Sequence, residues 1–364
     1  MKKSISATRR EMKIDWNEVS AVGIDLGDRF SQFVCVNAAG ERIGEGRVPT
    51  TAAAMEKQFG AVGSKLIAIE TGTHSPWVSR LLARLGHQVT VANSRKLRLI
   101  YENRRKNDRV DAEYLARLVR LDRKLLCPVE HRNEHAQQHV ALFRARDEAV
   151  ETRTRLINHV RGAVKSMGMR LPACSAEAFV KRATAALPTE LKSALEPLLT
   201  LITVSNEQIK KYDRNVERMI KDEYRQVQVL TQIAGVGALT AVAFAVTIGD
   251  RNRFARSRTV GAWLGLTPGQ RASGKQDPQQ RITKEGDHYL RRLLVNCAHY
   301  ILGPFGPDCD LRRHGAAIAA RGGTNAKKRA VVAVARKLAV LMHRLWCTQA
   351  VYEPLRKAAD SIAA

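Results

Sequence analysis

A chain of 364 residues with 45% apolar and 26% charged side chains is long enough for two or three domains and excludes a disordered or fibrous protein. Its 61 Lys and Arg against 35 Asp and Glu leave a formal charge of +26. Such a field favours a polyanion, by neutralising phosphates and releasing counterions, so nucleic acid is the leading partner. Apolar stretches such as 238–248 are too short to cross a bilayer, and no membrane role is expected.

The opening MKKSISATRREMK is basic but has no apolar core after it, so residues 1–20 read as a basic tail and not a secretory signal. The runs Val22–Asp25, Gln32–Val36, Arg42–Val48, Leu66–Glu70 and Gln88–Val91 have the length and composition of strands. The first three follow one another closely, as an antiparallel meander does. Helical segments at about 52–60 and 75–86 separate the later strands and imply parallel crossovers. That order is the order of a ribonuclease H-like fold, expected over residues 21–128.

Asp25 and Glu70 each close an apolar run, at the exit of a strand. Asp108 and Asp111 follow in KNDRVDAEYLARL, where Val110, Tyr114, Leu115, Leu118 and Val119 recur at helical spacing, so the two acids share a helix face. Four carboxylates drawn together repel one another without a cation. Hard oxygen donors of this kind suit Mg²⁺ or Mn²⁺ and phosphoryl transfer.

From about 134 to 225 strand signals vanish. Leu142, Ala149, Leu156 and Ala163, with Val150, Ile157 and Val164, recur every seven residues. A second run holds Leu191, Leu195, Leu198, Ile202, Ile209, Val216 and Ile220, so a helical hairpin or coiled-coil linker is expected over 129–228, broken near Gly168–Pro172. His131, His135 and His139 stand at i, i+4 and i+8, a spacing for metal ligands on one helix. No Cys or acid evidently completes that set, and the reading here is a solvated linker helix.

A mainly helical region is expected over 229–350, with 351–364 as a tail. Ile233-Ala-Gly-Val-Gly237 ahead of the apolar 238–248 suits either a helix-hairpin-helix phosphate turn or an ordinary glycine turn. Beyond it come Trp263–Pro268, a polar loop over 269–280, a helix holding YLRRLL and a final helix at about 325–346. The six cysteines are scattered without a CxxC pair, which fits a reducing cytoplasm and argues against a zinc ribbon or a disulfide framework.

GIDLGD with Asp25, IETGTH with Glu70, KNDRVDAEYLA with Asp108 and Asp111, and GLTPGQRASGKQDPQQRITKEGDHYLRRLL together resemble the IS110/IS1111-type DEDD transposases, RNA-guided bridge recombinases. The resemblance runs from Ala21 to about Trp346 and implies α/β plus α architecture. A RuvC-like domain with the four acids as metal ligands would be followed by a coiled-coil linker and a C-terminal transposase domain whose nucleophile falls on Ser273. It also implies donor and target DNA, a structured guide RNA, a dimer assembling to a tetramer, and a bacterial, nucleoid-associated location. Arg271, Lys275, Arg281 and Lys284 around the serine, and Arg291 and Arg292 on the next helix, are expected at phosphates. Arg95, Lys96 and Arg98 with Arg104, Arg105 and Lys106 form a second basic cluster, for guide RNA or DNA. The rival readings are a metal-dependent nuclease or junction resolvase using water, and an ATPase of the actin and heat-shock-chaperone kind suggested by GIDLG. The latter lacks a second acid-bearing phosphate loop.

Overall fold

A computed structural model describes residues 14–97, 107–271, 278 and 280–356. The chain divides into two compact units, one up to Arg132 and one from Asn133 onward.

The first unit is built on five strands: β1 (Ala21–Asp25), β2 (Phe30–Val36), β3 (Arg42–Pro49), β4 (Leu66–Glu70) and β5 (Gln88–Ala92). They lie in the order β3-β2-β1-β4-β5. β1, β2 and β3 pair antiparallel, whereas β4 and β5 join β1 in parallel. Helices α1 (Ala52–Phe59) and α2 (Ser75–Arg84) supply the crossovers, as the spacing of the strands requires. Thr51 starts α1 by accepting a hydrogen bond from the Ala54 amide, a standard N-cap.

Alternation along the strands divides the core in two. Val22, Ile24, Phe33, Cys35, Ile67 and Ile69 face Met55, Phe59, Val78, Leu81 and Leu82 of α1 and α2. Ala21, Val36, Ala68 and Ala92 face the other way, under Leu115, Ala116 and Val119 of α3 (Asp108–Leu121). The first face is lined by bulky residues and the second by small ones. Tyr114, counted among the apolar residues of the helix, is exposed, and Ala112 and Ala116 take the packed positions.

The second unit is helical. α4 (Glu134–Ser166) and α6 (Thr189–Asp222) are its longest elements, with the short α5 (Phe179–Ala186) between them. Arg146 meets Asp213 at 2.6 Å, Arg153 meets Asn206 at 2.9 Å, and His139 meets Tyr224 at 2.8 Å. Partners therefore descend on α6 as they ascend on α4, and the pair is antiparallel. At its closed end Ile157, Val160 and Val164 pack on Leu195, Leu199 and Ile202. At its open end Phe143, Val216 and Ile220 enter the same core as α7 (Ala238–Ile248), α9 (His288–Leu302) and α11 (Ala326–Thr348). The segment expected as a linker thus lies in one compact unit with the region after residue 229; its open end enters that region's core, and its closed end keeps an apolar cluster of its own. α8 (Arg258–Trp263) and α10 (Asp310–Ala320) complete the unit. No helix among the described residues is long and apolar enough to cross a membrane.

Candidate active site

The register of the sheet places the first two acids. β1 and β4 are parallel neighbours with Ile24 opposite Ile69, so Asp25 and Glu70 end adjacent strands side by side, with strand spacing of about 4.8 Å. Asp25 lies two residues past Gly23 and four past Ala21; Glu70 lies two past Ala68. Both carboxylates therefore project from the sheet face that α3 covers.

α3 runs antiparallel to β1. Near its start Arg109 reaches Glu45 at 3.7 Å, and near its end Arg120 donates to the Ala38 carbonyl at 2.8 Å, beyond the opposite end of the sheet. Its first turns consequently lie at the edge where Asp25 and Glu70 emerge. Asn107 caps the helix by accepting from the Arg109 amide. Asp108 opens it and is exposed, whereas Asp111 is only 4% exposed. Acids in a first helical turn also meet the positive end of the helix dipole.

Close approach makes this possible. A Cβ on Gly23 would stand 1.9 Å from the Ala112 carbonyl oxygen and 2.5 Å from the Ala116 nitrogen, so the helix backbone rests directly on the strand backbone. Asp25 and Glu70 thus end adjacent strands on the face that α3 covers, and the first turn of that helix carries exposed Asp108 and buried Asp111. The set contains only hard oxygen donors, as Mg²⁺ or Mn²⁺ prefers.

Ser273 and Lys275 lie outside the described residues, as do Arg104, Arg105 and Lys106. The base of the serine loop is described. Pro268 bridges Ile282, the Gly269 amide donates to the Arg281 carbonyl at 2.9 Å, and Thr283 donates to Thr267 at 3.0 Å. Gly265, at φ +67°, lies so close to Glu285 that a Cβ would meet its carbonyl oxygen at 2.3 Å. This two-stranded stem holds the ends of the loop together.

The comparisons with known proteins agree along most of the chain. The DEDD IS110 family model, described as a transposase, matches residues 22–169, and a second model, described as a transposase of the IS116/IS110/IS902 family, matches 227–308. The transposase for insertion sequence element IS1328 of Yersinia enterocolitica is 30% identical over 285 residues, covering 77% of this chain and 83% of that protein. The transposase for insertion sequence element IS1111A of Coxiella burnetii is 32% identical over 260 residues, covering 69% and 70%. A probable family 20 transposase of Pseudomonas aeruginosa is 27% identical over 299 residues, covering 78% and 84%. The chain belongs to the IS110 family of transposases.

An IS110-family transposase cuts and rejoins DNA, and the first family match spans all four acids while the second spans Ser273. The basic residues of this transposase separate into two kinds. Arg271, Arg281 and Lys284 are exposed at the mouth of the serine loop, and Arg95 and Lys96 are exposed after β5. Arg291 does not have the open position expected of a phosphate contact. It is 8% exposed, and its guanidinium donates to the Leu264 carbonyl at 3.0 Å and the Glu285 carbonyl at 2.7 Å. It therefore clamps the two sides of the stem. Arg292 is likewise engaged, ion-paired with Asp147 and, at 3.1 Å, with Glu151 of α4. Its bond to Asp147 raises its pKa further.

The three histidines also part company. His131 precedes α4, and its Nε2 lies 2.9 Å from the Ser75 hydroxyl. His135 and His139 share α4, and Glu223 at the end of α6 completes a group with them. Sequence reasoning missed that acid because it lies on the returning helix of the hairpin.

Proposed function

We propose that this transposase breaks and rejoins DNA strands through a covalent intermediate on Ser273, with Asp25, Glu70, Asp108 and Asp111 as ligands of Mg²⁺ or Mn²⁺ in a RuvC-like, ribonuclease H-type domain. What supports the reading is that Asp25 and Glu70 end adjacent parallel strands on the sheet face covered by the helix whose first turn carries Asp108 and Asp111. When bound, a divalent ion there supplies charge neutralisation at the phosphate and lowers the pKa of an attacking hydroxyl. The serine hydroxyl loses its proton to solvent, its oxygen bonds to phosphorus, and the bond from phosphorus to a deoxyribose oxygen breaks, that oxygen leaving protonated as a strand-end hydroxyl. The ester energy is kept in the phosphoserine link, so attack by a strand-end hydroxyl rejoins DNA and releases the serine without a nucleotide cofactor. Exposed Arg271, Arg281 and Lys284, with Lys275, hold phosphates beside the serine. Arg291 acts as a positioning residue by fixing the loop stem. Sequence choice is delegated to pairing between DNA and a structured RNA encoded with the element, while protein contacts read backbone and shape. The working assembly is a dimer that pairs into a tetramer, since recombining two duplexes needs several active sites.

The test incubates the protein, its element-encoded RNA, and donor and target DNA with Mg²⁺. A covalent protein–DNA adduct is expected, lost in Ser273→Ala and in Asp25→Asn. Free cut ends formed equally well by Ser273→Ala would show that water is the nucleophile and overturn the serine assignment.

A further inference from the structure

The open end of the helical hairpin carries a side-chain group that DNA rejoining does not use. His135 and His139 stand one turn apart on α4, and Glu223 is the residue that closes α6. Because the two helices are antiparallel, the start of one meets the end of the other. His135 Nε2 lies 3.0 Å, and His139 Nε2 3.6 Å, from the same Glu223 oxygen, Oε2. All three ligand atoms fall within 4.8 Å of one another.

These separations are those of a metal site. A tetrahedral zinc ion with bonds of about 2.0–2.1 Å keeps its ligand atoms about 3.3 Å apart, and the two observed distances straddle that value. The outer contact is also in place. His139 Nδ1 lies 2.8 Å from the Tyr224 hydroxyl, and a ligating histidine ordinarily donates its other N–H to such a group, which fixes the tautomer and leaves Nε2 free for the metal. His139 is 12% exposed at its side chain, so its ring is held in place by its surroundings. A plain ion pair needs only one imidazole on the carboxylate oxygen, whereas here two converge on it.

We propose that His135, His139 and Glu223 bind a zinc ion that fastens the start of α4 to the end of α6, with the fourth position left to water. Two imidazoles and one carboxylate select zinc over magnesium, so the site is chemically distinct from the all-oxygen set of Asp25, Glu70, Asp108 and Asp111.

The test uses the full-length, tag-free protein equilibrated with zinc, dialysed, and assayed for metal by mass spectrometry, beside His135→Ala and Glu223→Gln. His135 is 61% exposed at its side chain, so its replacement leaves the fold intact, as circular dichroism would verify. Wild type should retain about one more zinc per chain than either variant. Added zinc should raise its thermal midpoint by several degrees, and magnesium should not. Cobalt should give visible d–d bands in wild type that both variants lose. Equal zinc content and equal zinc-induced shifts in wild type and His135→Ala would overturn the proposal and leave the group an ion pair.

Discussion

Gly23→Ala should uncouple the helix-borne acids from the strand-borne ones. The added methyl would stand 1.9 Å from the Ala112 carbonyl oxygen, 2.5 Å from the Ala116 nitrogen and 2.9 Å from Leu115 Cβ, where ordinary contact begins at 3.4 Å. Two of the three obstacles are backbone atoms, so no rotamer change relieves them. α3 must retreat by about 1.5 Å at this point, and a gap of even 0.5–1 Å forfeits roughly a quarter to a half of each dispersion contact. Leu115, Ala116 and Val119 would lose packing on Ala21, Val36 and Ala68. Overpacking typically costs about 1–3 kcal/mol, and here the upper end applies. For a unit of this size that lowers the melting midpoint by about 10 °C. Displacing Asp111 by about an ångström should also slow adduct formation on the order of 100-fold. Thermal denaturation of the full chain, hydrogen exchange across 108–121 and the adduct assay measure these effects. A variant within about 0.5 kcal/mol of wild type that forms adduct at the normal rate would refute the direct seating of α3 on β1.

Three further perturbations follow from the second unit. Gly162 lies exposed within α4, and a methyl added there would meet nothing within 4 Å, so Gly162→Ala should stabilise by about 0.5–1 kcal/mol in chemical denaturation. Arg291→Met leaves the Leu264 and Glu285 carbonyls without the guanidinium that serves both. A loss of about 1–3 kcal/mol should accompany a fall in adduct formation larger than the unfolded fraction explains, as parallel denaturation and cleavage assays would show. His343, whose ring nitrogens lie 2.9 Å from the Ser257 hydroxyl and 2.9 Å from the Arg251 carbonyl, is held below its ordinary pKa of 6.5 by burial. Cys347 and the edge of Phe254 are its other neighbours, with Asp250 and Arg251 on the adjoining turn. As pH falls the unfolded chain takes up the proton first. The histidine's contribution is therefore complete above about pH 6.5 and is lost as pH falls through the folded value. His343→Gln should remove that part of the slope in denaturation midpoints measured across this range.

Strands and crossover helices were legible because their signals are local. β4 runs Leu66–Glu70, where an apolar run ends in an acid, and the alternation that fills one face with Ile67 and Ile69 directs Glu70 to the other. The pairing that aligns it with Asp25 follows from strand order, and the meander followed by crossovers already implied that order. Long-range partners were not legible. Nothing near His135 in sequence announces Glu223; the helical hairpin brings them within 3.0 Å. Arg291 and Arg292 stand together in YLRRLL as equal candidates for phosphate. One turns inward to two backbone carbonyls and the other outward to acids of α4, a distinction that depends on which element packs against each face. Polar or charged side chains in a helix therefore have to be sorted by their partners before their charge is counted toward a surface.

The acids themselves specify only the donors of a site; its dimensions come from residues with no polar side chain. Ala21, Gly23 and Ala68 on the sheet lie opposite Ala112, Leu115 and Ala116 on the helix. Packing this close reduces the distance from helix axis to sheet below what Val or Ile on both sides would permit. The depth of that contact determines how far Asp111 stands from the strand ends, and so, under the proposed metal-ligand role of these acids, the spacing of the donors. Enlarging Gly23 and conservatively replacing an acid should consequently fail in different ways. Asp111→Asn keeps the helix seated and weakens the donor set, whereas Gly23→Ala keeps every donor and changes their separation. Raising the Mg²⁺ or Mn²⁺ concentration should restore part of the activity of the first and little of the second, because mass action compensates for affinity but not for misplaced ligands.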